Sequence, residues 1–518
     1  MRARATQSNP IRSVGIRQAA RRAMQNPTVP LFVLFLTLYI FSAGGHLYSI
    51  DEVIVYYTTK AIADSGSLNI AYALPFIHKL GFLTLLPDTS TVYYSPFGLL
   101  QPLLAVPLYY LVTPLGVEQW RTVDMLYSPI LSAVSVCLVF AISRRLGRST
   151  GISIAISVLY SVATIAWPYA KFFNEVTTAS AMLLAATYFL FDQSTRRASV
   201  LLSGIFATLS VFARATQVIM MPVILLYVIF KAPRLRTSAI NAALFLIPVA
   251  AGAMVYAYLN LARFGSPFDF AFGVEHTREA LSYYSMNLIV GVYGMLLSSG
   301  EGLFVYYPLC GLGLFTLLWL RSQRNENWPR LIFAWFFFAD LLFFARFPQW
   351  HGWGAWGARY LVVTVPYLML ALAPFLESAK TSIIKMAILA VTASVGIFSN
   401  LLGVIVNFNY TQEYYFRLGA FDPAKFPDPG IWIPRFSPLQ GSWDLLWSQK
   451  YPAEFYSYAP DIFFLKARFD LFLYNTLGLP VLLATIALLV AEAYWLARTL
   501  KIPILLAKGS WVRYSTRS

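Results

Sequence analysis

Apolar and polar positions fall in long blocks along the chain. Apolar runs of roughly 16 to 25 residues, near the length that crosses a bilayer, are separated by more polar stretches. The first covers about Val29 to Ala43, and others start near Thr122, Thr150, Thr177, Val200, Ala215, Ser238, Leu303, Leu331, Arg359, Ser382 and Leu471. No small-residue cleavage pattern follows the first run, so it reads as a retained span rather than a signal peptide. The pattern predicts an all-α polytopic membrane protein with twelve spans. One further apolar stretch, Phe97 to Leu115, is studded by Pro102, Pro107 and Pro114, which interrupt backbone hydrogen bonding. It predicts an interfacial or re-entrant helix, with a thirteenth crossing as the alternative.

Charge orients these spans. With a cytoplasmic N-terminus, the cytoplasmic segments are 1–28, 144–149, 192–198, 231–237, 321–330, 377–385 and 498–518, and they hold well over half of the 39 Lys and Arg residues. That is the positive-inside bias, and it accounts for the formal net charge of +16 without a nucleic-acid partner. The organisation that follows is a basic tail over 1–28, a membrane core over 29–406 with a first outer loop at 44–121, an outer segment over 407–470, a last span at 471–497 and a basic tail over 498–518. The expected location is a plasma (inner) membrane, with the long loops extracytoplasmic.

Composition excludes the soluble alternatives. Hydrophobic residues make up 58% of the 518 and charged residues only 12%, and the mean hydropathy is +0.62. A chain so apolar cannot cover its surface with polar groups in water. Cys137 and Cys310 both lie in apolar runs, which leaves no disulfide framework, and the four histidines have no metal-ligand spacing. Neither a metal nor another cofactor is indicated. No phosphate-binding GxxxxGKS loop occurs, so an activated substrate on the outer side is expected to arrive through the membrane.

The first outer loop opens with His46-Leu47-Tyr48-Ser49-Ile50-Asp51-Glu52. Two adjacent carboxylates at a membrane surface raise one pKa and suit a general base. Asp51 also reads as the N-cap of an amphipathic helix carrying Val53, Tyr56, Tyr57 and Lys60, and the two readings are compatible. Glu175 ends a short loop starting at Trp167 and reads as a site acid or a helix cap. Arg214 is an isolated charge between two apolar runs, which asks for an anionic partner, either a lipid headgroup or a substrate phosphate. The stretch Trp350-His351-Gly352-Trp353-Gly354-Ala355-Trp356-Gly357-Ala358-Arg359 offers close backbone approach at its glycines, and indoles that stack on sugars or sit in the interfacial belt.

The Asp51-Glu52 pair just past the first span, the amphipathic helix, Tyr93-Tyr94-Ser95-Pro96 and the Pro-rich helix after it together resemble the GT-C glycosyltransferases. The likeness is to the branch containing protein O-mannosyltransferases and lipid A aminoarabinose transferases. It implies a polyprenyl-phosphate sugar donor, a cell-envelope acceptor, and Asp51 as the catalytic base with Glu52 beside it. Glu175 is implied as a second site acid, Arg214 and Arg359 as contacts to the donor phosphate, and Tyr93, Tyr94, His351 and Trp353 as substrate-binding residues. Where aminoarabinose transferases carry a Lys before the Pro of the first loop, this chain has Ser95, and Lys60 or Lys79 is expected to substitute. The segment 407–470 is expected to cap the site. The competing class is a lipid or solute transporter or flippase, favoured by Asp340, an acid well inside an apolar run.

Overall fold

The computed structural model describes residues 26–79, 92–115, 119–192, 197–232, 234–269, 284–319, 327–352, 355–411, 415, 429–447 and 469–500. Among them the regular structure is helical, apart from one antiparallel bridge between Asn69 and Tyr94. The chain runs through α1 (Thr28–Phe41), α2 (Ile50–Ser65), α3 (Leu100–Val112), α4 (Gln119–Arg145), α5 (Thr150–Ala163), α6 (Glu175–Leu190), α7 (Arg197–Ala213) and α8 (Met221–Phe230). It continues through α9 (Leu235–Phe264), α10 (Leu288–Leu297), α11 (Pro308–Trp319), α12 (Asn327–Phe344), α13 (Val365–Ala371), α14 (Ile383–Ile405), α15 (Pro438–Trp447) and α16 (Leu479–Thr499).

Four of these helices, α4, α9, α14 and α16, are long and apolar enough to cross a membrane unaided. The other predicted runs form shorter or broken helices. The run from Ala215 opens as a 3₁₀ helix to Met220 before α8, and Pro308 separates a short turn over Leu303–Tyr306 from α11. The run from Arg359 is divided into Arg359–Leu361, α13 and Ala373–Ala379, each of the latter two with a proline in its first turn. Prolines in these runs remove the donors that an unbroken helix needs. Apolar side chains such as Met254, Val255, Ile383, Val391, Leu483 and Val490 stand exposed on α9, α14 and α16, as lipid-facing surface requires.

Small residues let the helices approach closely. A Cβ on Gly204 of α7 would meet the Phe245 carbonyl oxygen of α9 at 2.7 Å, so only glycine permits this crossing. The stretch 97–115 is not a full-length helix: α3 has 13 residues, contains Pro107, and lies against α2 and the start of α4. Beneath α2 sits a small apolar core of its own, including Val53, Val55, Tyr56, Ile70, Ile77 and Tyr109, which also takes in Val123 and Tyr127 of α4. The described part of the first loop is thus a packed unit seated on one end of the bundle.

The two ends differ in charge chemistry. At one end Arg148 pairs with Glu377 at 2.9 Å, Arg145 donates to the Tyr188 carbonyl and Arg330 to the Leu317 carbonyl, bringing together flanks of four segments predicted to be basic and cytoplasmic. The opposite end gathers the first loop, the 164–175 turn, Arg214, Glu301 and Arg359.

Candidate active site

Ser49 starts α2. Its hydroxyl accepts from the Glu52 amide at 3.4 Å, and the Glu52 carboxylate accepts from the Tyr48 amide at 3.0 Å. This Ser-x-x-Glu arrangement is a variant of the capping box, with the Glu side chain reaching the amide of the residue before the cap. The N-cap is therefore Ser49 and not Asp51, because the extended backbone that a cap requires is found at Ser49 (φ −145°, ψ 160°). Glu52 is 2% exposed and accepts further from the Phe173 amide at 3.3 Å, which ties the first loop to the 164–175 turn. Burial pushes its pKa up to about 8, against the lowering effect of its two backbone N–H donors and of Arg359.

Capping by Ser49 and Glu52 leaves Asp51 in the first turn with its carboxylate available. It accepts from Arg359 Nη2 at 2.6 Å, and Tyr93 lies within its electrostatic reach. Arg359 is placed by the turn before it. Gly352 holds φ +74°, and a Cβ there would stand 3.1 Å from the Arg359 Cδ, so the glycine lets the arginine side chain lie across the loop. The Gly352 carbonyl accepts from Arg359 Nη1 at 3.3 Å.

Two further acids surround this guanidinium. Glu175 lies within its electrostatic field and is 7% exposed, at the first position of α6; Asn174 is the cap of that helix, accepting from the Val176 amide at 3.0 Å. Glu301, 6% exposed, is the other; burial pushes its pKa well above the usual carboxylate range and Arg359 opposes the shift. Each has one carboxylate oxygen, Oε2, buried without a hydrogen-bond partner. Arg214 follows α7 and is buried rather than extended to a surface, its guanidinium lying 4.8 Å from the Phe344 ring centroid and 5.1 Å from that of Tyr360. Tyr169 sits within electrostatic reach of Arg359, Glu301, Arg214 and Tyr360.

The structure thus brings together Asp51, Glu175, Arg214, Arg359 and Tyr93. It does not bring Lys60 to them. Lys60 is nine residues along α2 from Asp51, about 13 Å of rise at 1.5 Å per residue, and bonds Asp64 at 2.6 Å and the Tyr109 hydroxyl at 3.1 Å. Tyr94 packs edge-on against Phe264, and His351 edge-on against Trp350. Trp353 and the Lys79 side chain lie outside the described residues, as does most of 407–470. The Ser95 carbonyl accepts from Arg263 at 3.2 Å. Among the described residues no three His, Cys, Asp or Glu side chains converge as a metal-binding group.

Sequence reasoning missed Glu301, whose signal is an acid set between two glycines at the threshold of an apolar run. It also missed a buried network next to the site. Asp470 accepts from Lys171 at 2.7 Å and from the Tyr48 hydroxyl at 2.8 Å, and pairs with His46 Nε2 at 2.7 Å. Burial alone would raise the Asp470 pKa, but Lys171 and His46 outweigh it and hold the carboxyl well below its ordinary range. Lys171 also donates to the Val404 carbonyl at 2.9 Å, and Asn409 to that of Tyr48 at 2.8 Å. The network fastens the end of α14 and residues 469–470 to the first loop.

No protein-family model matches the chain, and no curated protein matches it. Among solved structures it is similar to ArnT from Cupriavidus metallidurans bound to undecaprenyl phosphate, at 16% identity and a TM-score of 0.49, over 80% of this chain and 76% of that one. It is similar to the apo Archaeoglobus fulgidus oligosaccharyltransferase at 13% identity and a TM-score of 0.45, over 78% of this chain and 59% of that one. A third similarity is to the archaeal oligosaccharyltransferase AglB from Archaeoglobus fulgidus in complex with an inhibitory peptide and a dolichol-phosphate, at 13% identity and a TM-score of 0.45, over 79% and 59% of the two chains. With scores below 0.5 these likenesses assign no family, and the chemistry of the site stands on the side chains gathered around Arg359.

Proposed function

We propose that the chain is a membrane glycosyltransferase of the GT-C type, which moves a sugar with inversion from a polyprenyl-phosphate donor to a hydroxyl of a cell-envelope acceptor at the extracytoplasmic face. The observation that carries this reading is the pair of buried arginines with donors to spare. Arg214 Nη1 and Arg359 Nε are both buried without a hydrogen-bond partner. A buried guanidinium N–H left unsatisfied calls for an anion, and a phosphate takes such donors bidentately. Asp51, already in contact with Arg359, places a carboxylate beside that anion site.

In this mechanism Asp51 takes the proton of the acceptor hydroxyl as the oxygen attacks the anomeric carbon. The bond from that carbon to the phosphate oxygen breaks, and the electron pair leaves with the polyprenyl phosphate. Arg214 and Arg359 offset the charge that grows on the leaving oxygen, the step where fixed electrostatics contributes most. Before the donor arrives, Arg359 neutralises Asp51. Phosphate binding competes for the guanidinium and frees the carboxylate to meet the acceptor hydroxyl.

The test supplies purified protein with radiolabelled polyprenyl-phosphate sugars and an extract of envelope glycans, glycolipids and proteins. Label moved to an envelope component, with release of polyprenyl phosphate, is the expected result. Donors that bind and are never turned over with any acceptor fraction would contradict the proposal.

A further inference from the structure

Asp340 is fully buried in α12, and both of its carboxylate oxygens lack a hydrogen-bond partner. An acid in that state is costly unless something holds it in place. Arg214 is within its electrostatic reach. The geometry explains how. Phe344 lies four residues after Asp340, so the two share one face of α12, and the Arg214 guanidinium rests against the Phe344 ring at 4.8 Å. The 3₁₀ turn over Ala215–Met220 packs on α12, and Trp335 of that helix donates to the Ile219 carbonyl at 2.8 Å, which fixes the backbone that carries Arg214 against this face.

We propose that Asp340 is a positioning residue for Arg214. Its carboxylate draws on the guanidinium from one turn deeper in the bundle, while Phe344 and Tyr360 confine the plane of the group. One edge of the guanidinium then faces the space shared with Tyr169 and Arg359, where an anion is to bind. The inference rests on the reading of Arg214 as a phosphate contact, and it assigns to an acid otherwise suggestive of transport a role in donor binding.

The experiment is a double-mutant cycle on the full chain in lipid nanodiscs, reading the Kd for undecaprenyl phosphate, the KM and kcat for the labelled donor, and the thermal midpoint. Asp340→Asn keeps the shape and removes the charge. It is expected to weaken undecaprenyl phosphate binding by about tenfold, the size seen for residues of one network, and to lower kcat with it because Arg214 also steadies the leaving phosphate, with the thermal midpoint maintained. In an Arg214→Gln background the same change is expected to have no further effect on Kd. If Asp340→Asn weakens binding equally in both backgrounds, or not at all in the wild type, the positioning role is overturned while Arg214 keeps its own. If Arg214→Gln leaves binding unchanged, the phosphate role of Arg214 fails and takes the inference with it. Should the Asn variant lose its fold, Asp340→Ser is carried through the same cycle.

Discussion

At Ser49 the backbone turns into α2, and the Glu52 side chain reaches back to close that turn, which leaves Asp51 to face Arg359. Two neighbouring carboxylates so acquire separate tasks from separate surroundings. For Glu52 the consequence is a pH dependence of stability. Its folded pKa of about 8 stands above the ordinary 4.5, so between those values the folded chain holds a proton that the unfolded chain releases. Stability contributed by this group is therefore full below the lower value and is lost as pH rises through the upper one. The thermal midpoint of the wild type, measured against Glu52→Gln, should drop by several degrees from pH 5 to pH 8. A difference that does not move with pH would contradict it. The Ser-x-x-Glu spacing was legible in the sequence, but two adjacent acids suggested a catalytic pair, and only the backbone angles at Ser49 identify the cap.

At the scale of elements, the site depends on contacts between segments far apart in the chain. Asp470 is the clearest case, since a single carboxylate receives Lys171, His46 and Tyr48. Replacing it by Asn leaves Lys171 buried without its counter-charge and should cost about 3–5 kcal/mol of stability, read as a large fall in thermal midpoint. A midpoint close to the wild type would show that the network contributes little. Gly98 is a second case: a Cβ there would lie 2.3 Å from the carbonyl oxygens of Phe212 and Ala213, the residues that lead into Arg214. Backbone cannot yield as a side chain end does. Gly98→Ala should destabilise by about 1–3 kcal/mol and weaken undecaprenyl phosphate binding, and unchanged affinity would mean that the end of α7 does not set the position of Arg214. Neither contact was legible beforehand. Apolar periodicity marks where helices run, while pairings such as Lys171 with Asp470 join positions that no local pattern relates.

For the whole molecule, the long blocks of apolar residues read correctly as helices, and the charge bias separated the two ends that the structure also separates. What the blocks concealed was their internal breaks, because a proline in an apolar run changes hydropathy little and backbone continuity a great deal. Orientation is open to direct measurement. In a chain with Cys137 and Cys310 replaced by alanine, a cysteine at exposed Ser65 should react with an impermeant maleimide in intact cells, and one at exposed Thr381 only after permeabilisation. The reverse pattern would invert the topology and place the site in the cytoplasm. The central claim concerns Asp51 as the base, and Asp51→Asn tests it most directly, with transfer of labelled sugar and binding of undecaprenyl phosphate measured on the same preparation. The account predicts transfer reduced by about a hundredfold or more, with binding kept or tightened because Arg359 loses its competing carboxylate. Transfer equal to the wild type would contradict it and move the search for the base to Glu175 and Glu301.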